Sequence, residues 1–286
     1  MKKIYLSILG LLLLFTTGCL KRDNLENSTI YTTVYPIEYI TSRLYQDHST
    51  IKSIYPNDTD LASYELTEKQ IKDYSKANMY IFNGLSNEKN YVSRLFDHNK
   101  SLKIIDASSS MEYTYQTEEL WLDPSNFLML SLNIKNGLLE YIDNHYLKTS
   151  IESNYEALKM DISALDAKFN LLSESSDRKT ILVDNNALTF LTKYGFTIIS
   201  LDQETATAKT LAVAEAAIKN GTVRYIFTLN EEKLNDNVKT IQEKTNVRTL
   251  KLHSLSNLTD KERGEKLDYL SLANENIEQL KQELYN

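Results

Sequence analysis

Seven apolar side chains in the middle of the chain recur at alternating steps of four and three: Ile151, Tyr155, Leu158, Ile162, Leu165, Phe169 and Leu172. Side chains at that spacing line one stripe of an α-helix. Taken over residues 148–173, the helix would run about 40 Å at 1.5 Å per residue. Only about three heptads are present, which is short for a free coiled coil. The stripe therefore predicts a long helix lying along the rest of the protein. A second helix precedes it, opening at Asp123-Pro124, where aspartate caps a helix and proline is tolerated in the first turn. No strand signal appears between Pro124 and Ser173.

On either side of this helical stretch, short β-branched or aromatic runs alternate with longer amphipathic ones, the pattern of α/β units with parallel strands. Before it, strands are predicted at 30–35, 51–55, 79–82 and 102–105, with helices near 37–46, 67–76 and 87–96. After it, strands are predicted at 180–183, 197–201, 224–228 and 247–252, with helices near 187–192, 207–220, 232–245 and 266–284. Each half is its own βα set. With 7 glycines and 3 prolines in 286 residues, no flexible linker divides them. The expectation is an α/β protein of two lobes, each a parallel-rich sheet flanked by helices, joined by a long backbone helix. Its divisions are an N-terminal lobe over 30–122, the connecting helices over 123–175 and a C-terminal lobe over 176–286.

The N-terminus reads as an export signal. Lys2 and Lys3 precede an apolar run of about a dozen residues, too short for the roughly 20 of a membrane-spanning helix. Small residues follow, then Cys19, the only cysteine. That arrangement resembles a bacterial lipobox, with Thr16 where leucine is usual. The resemblance implies a signal peptide over 1–18, diacylglycerol on Cys19, and a lipidated tether over 19–29 that anchors the mature chain outside the cell membrane. Removing Lys2 and Lys3 with the signal takes the formal charge from −7 to −9. An acidic surface argues against nucleic acid as a partner.

Several segments resemble one family, the solute-binding lipoproteins of zinc and manganese ABC importers (cluster A-I type). Thr32-Thr33-Val34-Tyr35-Pro36-Ile37 is similar to its first strand and turn. The run from Ala77 through Asn83-Gly84-Leu85 to Glu88 resembles its "aDlviyNGlglE" segment, Trp121-Leu122-Asp123-Pro124 its "HxWLDP" motif, and Lys193-Tyr194-Gly195-Phe196 its "rYGl". Asp268-Tyr269-Leu270 with Asn274 is similar to its closing helix. The matches keep the family's order from about Tyr31 onward. They imply a solute cleft between the lobes, an ABC permease and ATPase as partners, a monomer, and no enzymatic activity.

In that family three histidines and one acidic residue hold the metal, a donor set suited to zinc and manganese. The first histidine falls on Ala62, in a segment that also carries Tyr64, and alanine cannot coordinate. The second falls on Glu119. The third falls on Asp184, or on Asn185 with a one-residue deletion, and the acidic position falls on His253. The resemblance thus implies that Ala62, Tyr64, Glu119, Asp184, Asn185 and His253 line the cleft, with Glu119, Asp184 and His253 as the remaining candidate metal ligands. Zinc or manganese binding is expected to be far weaker than in relatives with the full set. Two roles follow: a receptor for a metal or replacement solute, or a surface lipoprotein serving adhesion or regulation on the retained fold.

Other features point away from catalysis. The chain has no GxSxG elbow, P-loop or GxGxxG. His48, His98 and His145 fall near predicted helix ends, where cap and surface roles are common. The 19 tyrosines lie mostly on predicted strands and apolar helix faces, as core packing requires.

Overall fold

A computed structural model describes residues 25–61, 63–111, 119–229 and 233–285. The first half builds β1 (Thr29–Thr32), β2 (Thr50–Ser53), β3 (Met79–Phe82) and β4 (Lys103–Asp106), all parallel, in the order β2-β1-β3-β4. The second half repeats the plan with β5 (Thr180–Val183), β6 (Thr197–Ser200), β7 (Tyr225–Thr228) and β8 (Arg248–Lys251), in the order β6-β5-β7-β8. All eight predicted strands are present, with ends moved by up to three residues.

Registers place like with like: Ile30 faces Ile51 and Met79, and Leu182 faces Ile199 and Ile226. In each sheet the chain begins on an inner strand, moves to one edge, then crosses to the other side. The order therefore reverses between β1 and β3, and between β5 and β7. In open parallel sheets such reversal points leave a crevice at the carboxyl ends of the strands.

Helices α1 (Tyr35–Tyr45), α2 (Glu68–Tyr74) and α3 (Lys89–His98) flank the first sheet. Helices α4 (Pro124–Tyr141) and α5 (His145–Ser175) connect the lobes, and α6 (Ala208–Lys219), α7 (Asp236–Thr245), α8 (Asp260–Gly264) and α9 (Tyr269–Leu284) complete the second. Asp123 caps α4 by accepting from the Ser125 N–H at 2.9 Å. All seven stripe residues of α5 are buried. The first half of α5 meets the N-terminal lobe: Asn154 donates to the Leu44 carbonyl at 2.9 Å, and Asp161 pairs with Arg43 at 2.6 Å. Its second half meets the C-terminal lobe, where Asp166 accepts from the Tyr194 hydroxyl at 2.6 Å and Phe169 stacks on Tyr194 at 5.2 Å. The helix is thus a spine shared by both lobes.

Several features differ from the sequence reading, among them the short helix α8, which it did not include. The helix expected at 187–192 is a 3₁₀ helix, Asn186–Tyr194, closed by Gly195 at φ +90°. Thr189 and Thr192 each donate their hydroxyl to the carbonyl three residues back, at 2.7 and 2.8 Å, which reinforces the tighter winding. The last helix starts at Tyr269, under an Asp268 cap, rather than at 266. The tether expected over 19–29 does not stay free of the lobe to its end. Leu25 is fully buried, and its carbonyl accepts from Ser28 Oγ at 2.9 Å and Ser49 Oγ at 2.6 Å. Burial of one leucine and two hydroxyl contacts draws 25–28 onto the first sheet. The signal peptide and Cys19 lie outside the described residues.

Candidate functional site in the inter-lobe cleft

The reversal point of the second sheet is occupied by Asp184, just past β5, and Thr228, at the end of β7. Asp184 is 8 % exposed. The Thr228 hydroxyl donates to its Oδ2 at 2.5 Å, Asn185 Nδ2 donates to its Oδ1 at 2.8 Å, and the Leu229 backbone N–H also bonds the carboxylate. Asn235 Nδ2 donates to the Asp184 carbonyl at 2.7 Å while Asn235 Oδ1 caps α7. Burial pushes the Asp184 carboxyl up to about 6 against the pull of these hydrogen bonds. Asn185 spends its oxygen on the Ala187 N–H at 2.8 Å, capping the 3₁₀ helix. Both residues are therefore engaged by their own lobe.

His253 follows β8. Its Nδ1 accepts from the Leu255 N–H at 2.9 Å, so the ring proton resides on Nε2, which faces Glu262 Oε1 at 3.2 Å. Asn276 grips the backbone of His253 from both sides, at 2.6 and 2.8 Å. Burial lowers the imidazole pKa, with Glu262 opposing. The result is a neutral ring with both nitrogens occupied. Coordination would require one of those hydrogen bonds to break.

Glu119 precedes the 3₁₀ turn Leu120–Leu122, its carbonyl accepting from the Leu122 N–H at 3.1 Å. Beside it, buried Trp121 crosses between the lobes, with Nε1 donating to the Ser254 carbonyl at 2.8 Å and its own carbonyl accepting from Tyr269 at 2.6 Å. Tyr64 is half-buried; Gln70 Nε2 donates to its hydroxyl at 2.7 Å and its ring meets Tyr55 edge-on at 5.7 Å. Ala62 lies outside the described residues, as does Glu118. Among the described residues no group of three or more His, Cys, Asp and Glu side chains could hold a metal. The candidate trio of Glu119, Asp184 and His253 is thus not brought together as a ligand set. The physical reason is that two of its members are bonded to neighbours in the second half of the chain, Asp184 to Thr228 and Asn185, and His253 to Leu255 and Glu262.

Sequence reasoning missed the residues that do this: Thr228, Asn235, Glu262 and Asn276. Glu262 had a local signal, since Thr259-x-x-Glu262 is a capping box that forms as such. The others become neighbours only through strand order. Also unforeseen was the seam itself. Lys233 Nζ reaches Asp60 Oδ2 from the opposite lobe, and a cavity of about 380 Å³ opens between α1 and residues 258–267, walled by Tyr35, Glu38, Tyr39 and Arg263.

Two sheets of one topology are joined by a shared helix, and comparison with known proteins is decisive. The family described as ZnuA, zinc-uptake complex component A periplasmic, matches residues 30–283. The chain belongs to that family. Its members are transport binding proteins and not enzymes. The zinc-binding lipoprotein AdcA of Streptococcus pneumoniae serotype 4 is 24% identical over 311 residues, covering 99% of this chain and 61% of the relative. The chain thus spans about three fifths of that relative's length. The high-affinity zinc uptake system protein ZnuA of Bacillus subtilis is 22% identical, covering 89% of this chain and 87% of the relative. Among solved structures, the Zn(II)-bound ZnuA-like domain of Streptococcus pneumoniae AdcA superposes with a TM-score of 0.72 at 22% identity, over 91% of this chain and 100% of that one. The metal-dependent lipoprotein YcdH of Bacillus subtilis gives 0.73 at 19% identity with the same coverage. These likenesses place the fold: two parallel-sheet lobes of the ZnuA type.

Proposed function

We propose that this chain is a lipid-anchored extracytoplasmic solute-binding protein of a zinc/manganese-type ABC importer whose metal site no longer holds zinc or manganese tightly. It acts as a monomer, anchored through Cys19, and presents its two lobes to a permease and ATPase. One observation supports the loss of affinity above the others: His253 Nδ1 accepts a backbone N–H while Nε2 faces Glu262. A ligating imidazole needs one free nitrogen. Asp184 is similarly committed to Thr228 and Asn185. Glu119 puts a carboxylate at a former histidine position, and a single carboxylate is a poor zinc site.

Calorimetric titration of the metal-stripped mature protein with zinc, manganese and other divalent cations tests this reading. The expected outcome is binding orders of magnitude weaker than in relatives with an intact ligand set, and unaltered by His253→Ala. Tight binding abolished by both Glu119→Ala and His253→Ala would establish a rebuilt metal site in its place.

A further inference from the structure

Beyond β8 the chain does not stay with its own lobe. The segment 254–263 crosses to the N-terminal lobe and binds the loop 56–60 and the start of α1. Backbone contacts come first: Tyr35 N–H donates to the Ser256 carbonyl at 2.8 Å, and Asp58 N–H to the Leu258 carbonyl at 3.1 Å. Side chains add to them, with Asn257 Nδ2 on the Pro56 carbonyl at 2.8 Å and Asn57 Nδ2 on Asp260 Oδ1 at 2.7 Å. Arg263 is the centre. Its two terminal nitrogens bind both oxygens of Glu38 at 2.9 and 2.7 Å, its Nε donates to Asn57, and its guanidinium lies over the Tyr35 ring at 5.7 Å. Bidentate, half-buried pairs of this kind are the strong ones.

The crossing itself is set by His253. Leu255 takes φ +60°, a left-handed conformation that a branched side chain rarely adopts, while its side chain is buried. The N–H it presents in that conformation is received by His253 Nδ1, and Glu262 of the same segment receives the other side of the ring. We infer that residues 254–263 form a strap, pinned by His253 and locked by Arg263, that holds the two lobes closed by protein contacts alone. Closure of this protein does not await a bound ion. His253 is a positioning residue of the strap, and the strap stands whether or not the cleft binds a cation.

The test uses the full mature chain with Cys19→Ser, spin-labelled at the exposed positions Phe96 of α3 and Val213 of α6, one in each lobe. Pulsed electron–electron distance measurement is expected to give one narrow distribution in EDTA, unchanged by zinc or manganese. Arg263→Ala should add a population at longer distance, and Arg263→Lys, a point charge without the planar fork, should fall between. A broad distribution in EDTA that narrows on adding metal overturns the inference, as does an unchanged distribution in Arg263→Ala. Should Arg263→Ala fail to fold, Asn57→Ala decides, because it leaves the Arg263–Glu38 pair in place. Amide exchange in 254–263 is expected to accelerate about tenfold in that variant, and no acceleration counts against the strap. Calorimetry on the same samples separates the two proposals, since tight metal binding with an unchanged distance would overturn the proposed function and leave the strap standing.

Discussion

The two sheets share a strand order but are insulated differently. In the N-terminal lobe the strands, α1, α2 and α3 all pack into the same apolar cluster that continues through α4 and α5. In the C-terminal lobe the inner layer joins that cluster, while Leu182, Val223, Ile226, Val238 and Ile241 form a separate one under α6 and α7. The strand ends differ as well. Around the N-terminal crevice Asn83 and Glu88 are buried, with Glu88 Oε2 accepting from the Asn83 N–H at 3.0 Å, and tyrosines 55, 64 and 91 fill the approaches. Gly84 is required there, because a Cβ would sit 2.2 Å from the Asp106 carboxylate that receives its N–H. At the C-terminal crevice the acid is Asp184, whose carboxyl burial pushes up to about 6. The N-terminal lobe is thus tied to the spine as one packed body, whereas the C-terminal lobe carries a semi-independent outer layer and a titrating group at its cleft edge.

The strongest attempt to break this contrast is Leu158→Asp, which puts an unpaired charge where the spine meets the fully continuous core. A loss of about 5 kcal/mol or more is expected, with both lobes unfolding together in a denaturant titration. Survival of native stability would mean that the spine is not the shared core. Next is Ile241→Ala in the isolated outer cluster. It should cost about 2–4 kcal/mol, and amide exchange should accelerate in α6 and α7 while the N-terminal sheet keeps its protection. Uniform acceleration would show that the two clusters act as one.

A smaller effect concerns Asp184. Its folded pKa, about 6, lies above the unfolded value, so the native state holds the proton more firmly. Stability from this group is therefore fully present below about pH 4 and falls as pH rises towards 6, by up to about 3 kcal/mol. Asp184→Asn cannot ionise and should flatten that slope, with a loss at all pH values from setting its amide nitrogen against the Asn185 Nδ2 donor. Urea midpoints at pH 4 and pH 7 for both proteins check it, and parallel pH profiles would remove the contrast between the crevices. The smallest effect on stability belongs to Cys19→Ser, which should leave the unfolding midpoint unchanged yet move the protein from the membrane to the soluble fraction. Incorporation of a labelled fatty acid into Cys19→Ser would end the anchor assignment.

How far the site could be read from sequence depends on the range of the interaction concerned. Asp184, Asn185 and His253 were picked out as candidates, because family motifs align by order along the chain, and each lies just past the end of a strand. Their chemistry was not found, because it belongs to their partners. Thr228 is 44 residues from Asp184, and Asn276 is 23 from His253. A carboxylate and an imidazole at strand ends read as metal donors in a sequence, which does not reveal that Thr228, Asn185, Leu255 and Glu262 bond them. The tyrosines behaved the other way: apolar placement predicted packing, and Tyr35, Tyr39, Tyr45, Tyr80 and Tyr269 are buried.

The sequence by itself determined the parts whose causes are local. The four-three stripe specified α5, Asp123-Pro124 specified the start of α4, and β-branched runs specified eight strands, since each depends on neighbours within a turn or along one face of a strand. Tertiary structure alone decided the strand orders that create the two crevices, the burial of Leu25, and the route of residues 254–263 to a glutamate 225 residues away. Those outcomes depend on which surfaces remain to be covered and which donors remain to be satisfied once the lobes have met along the spine, and no periodicity in a single chain encodes that.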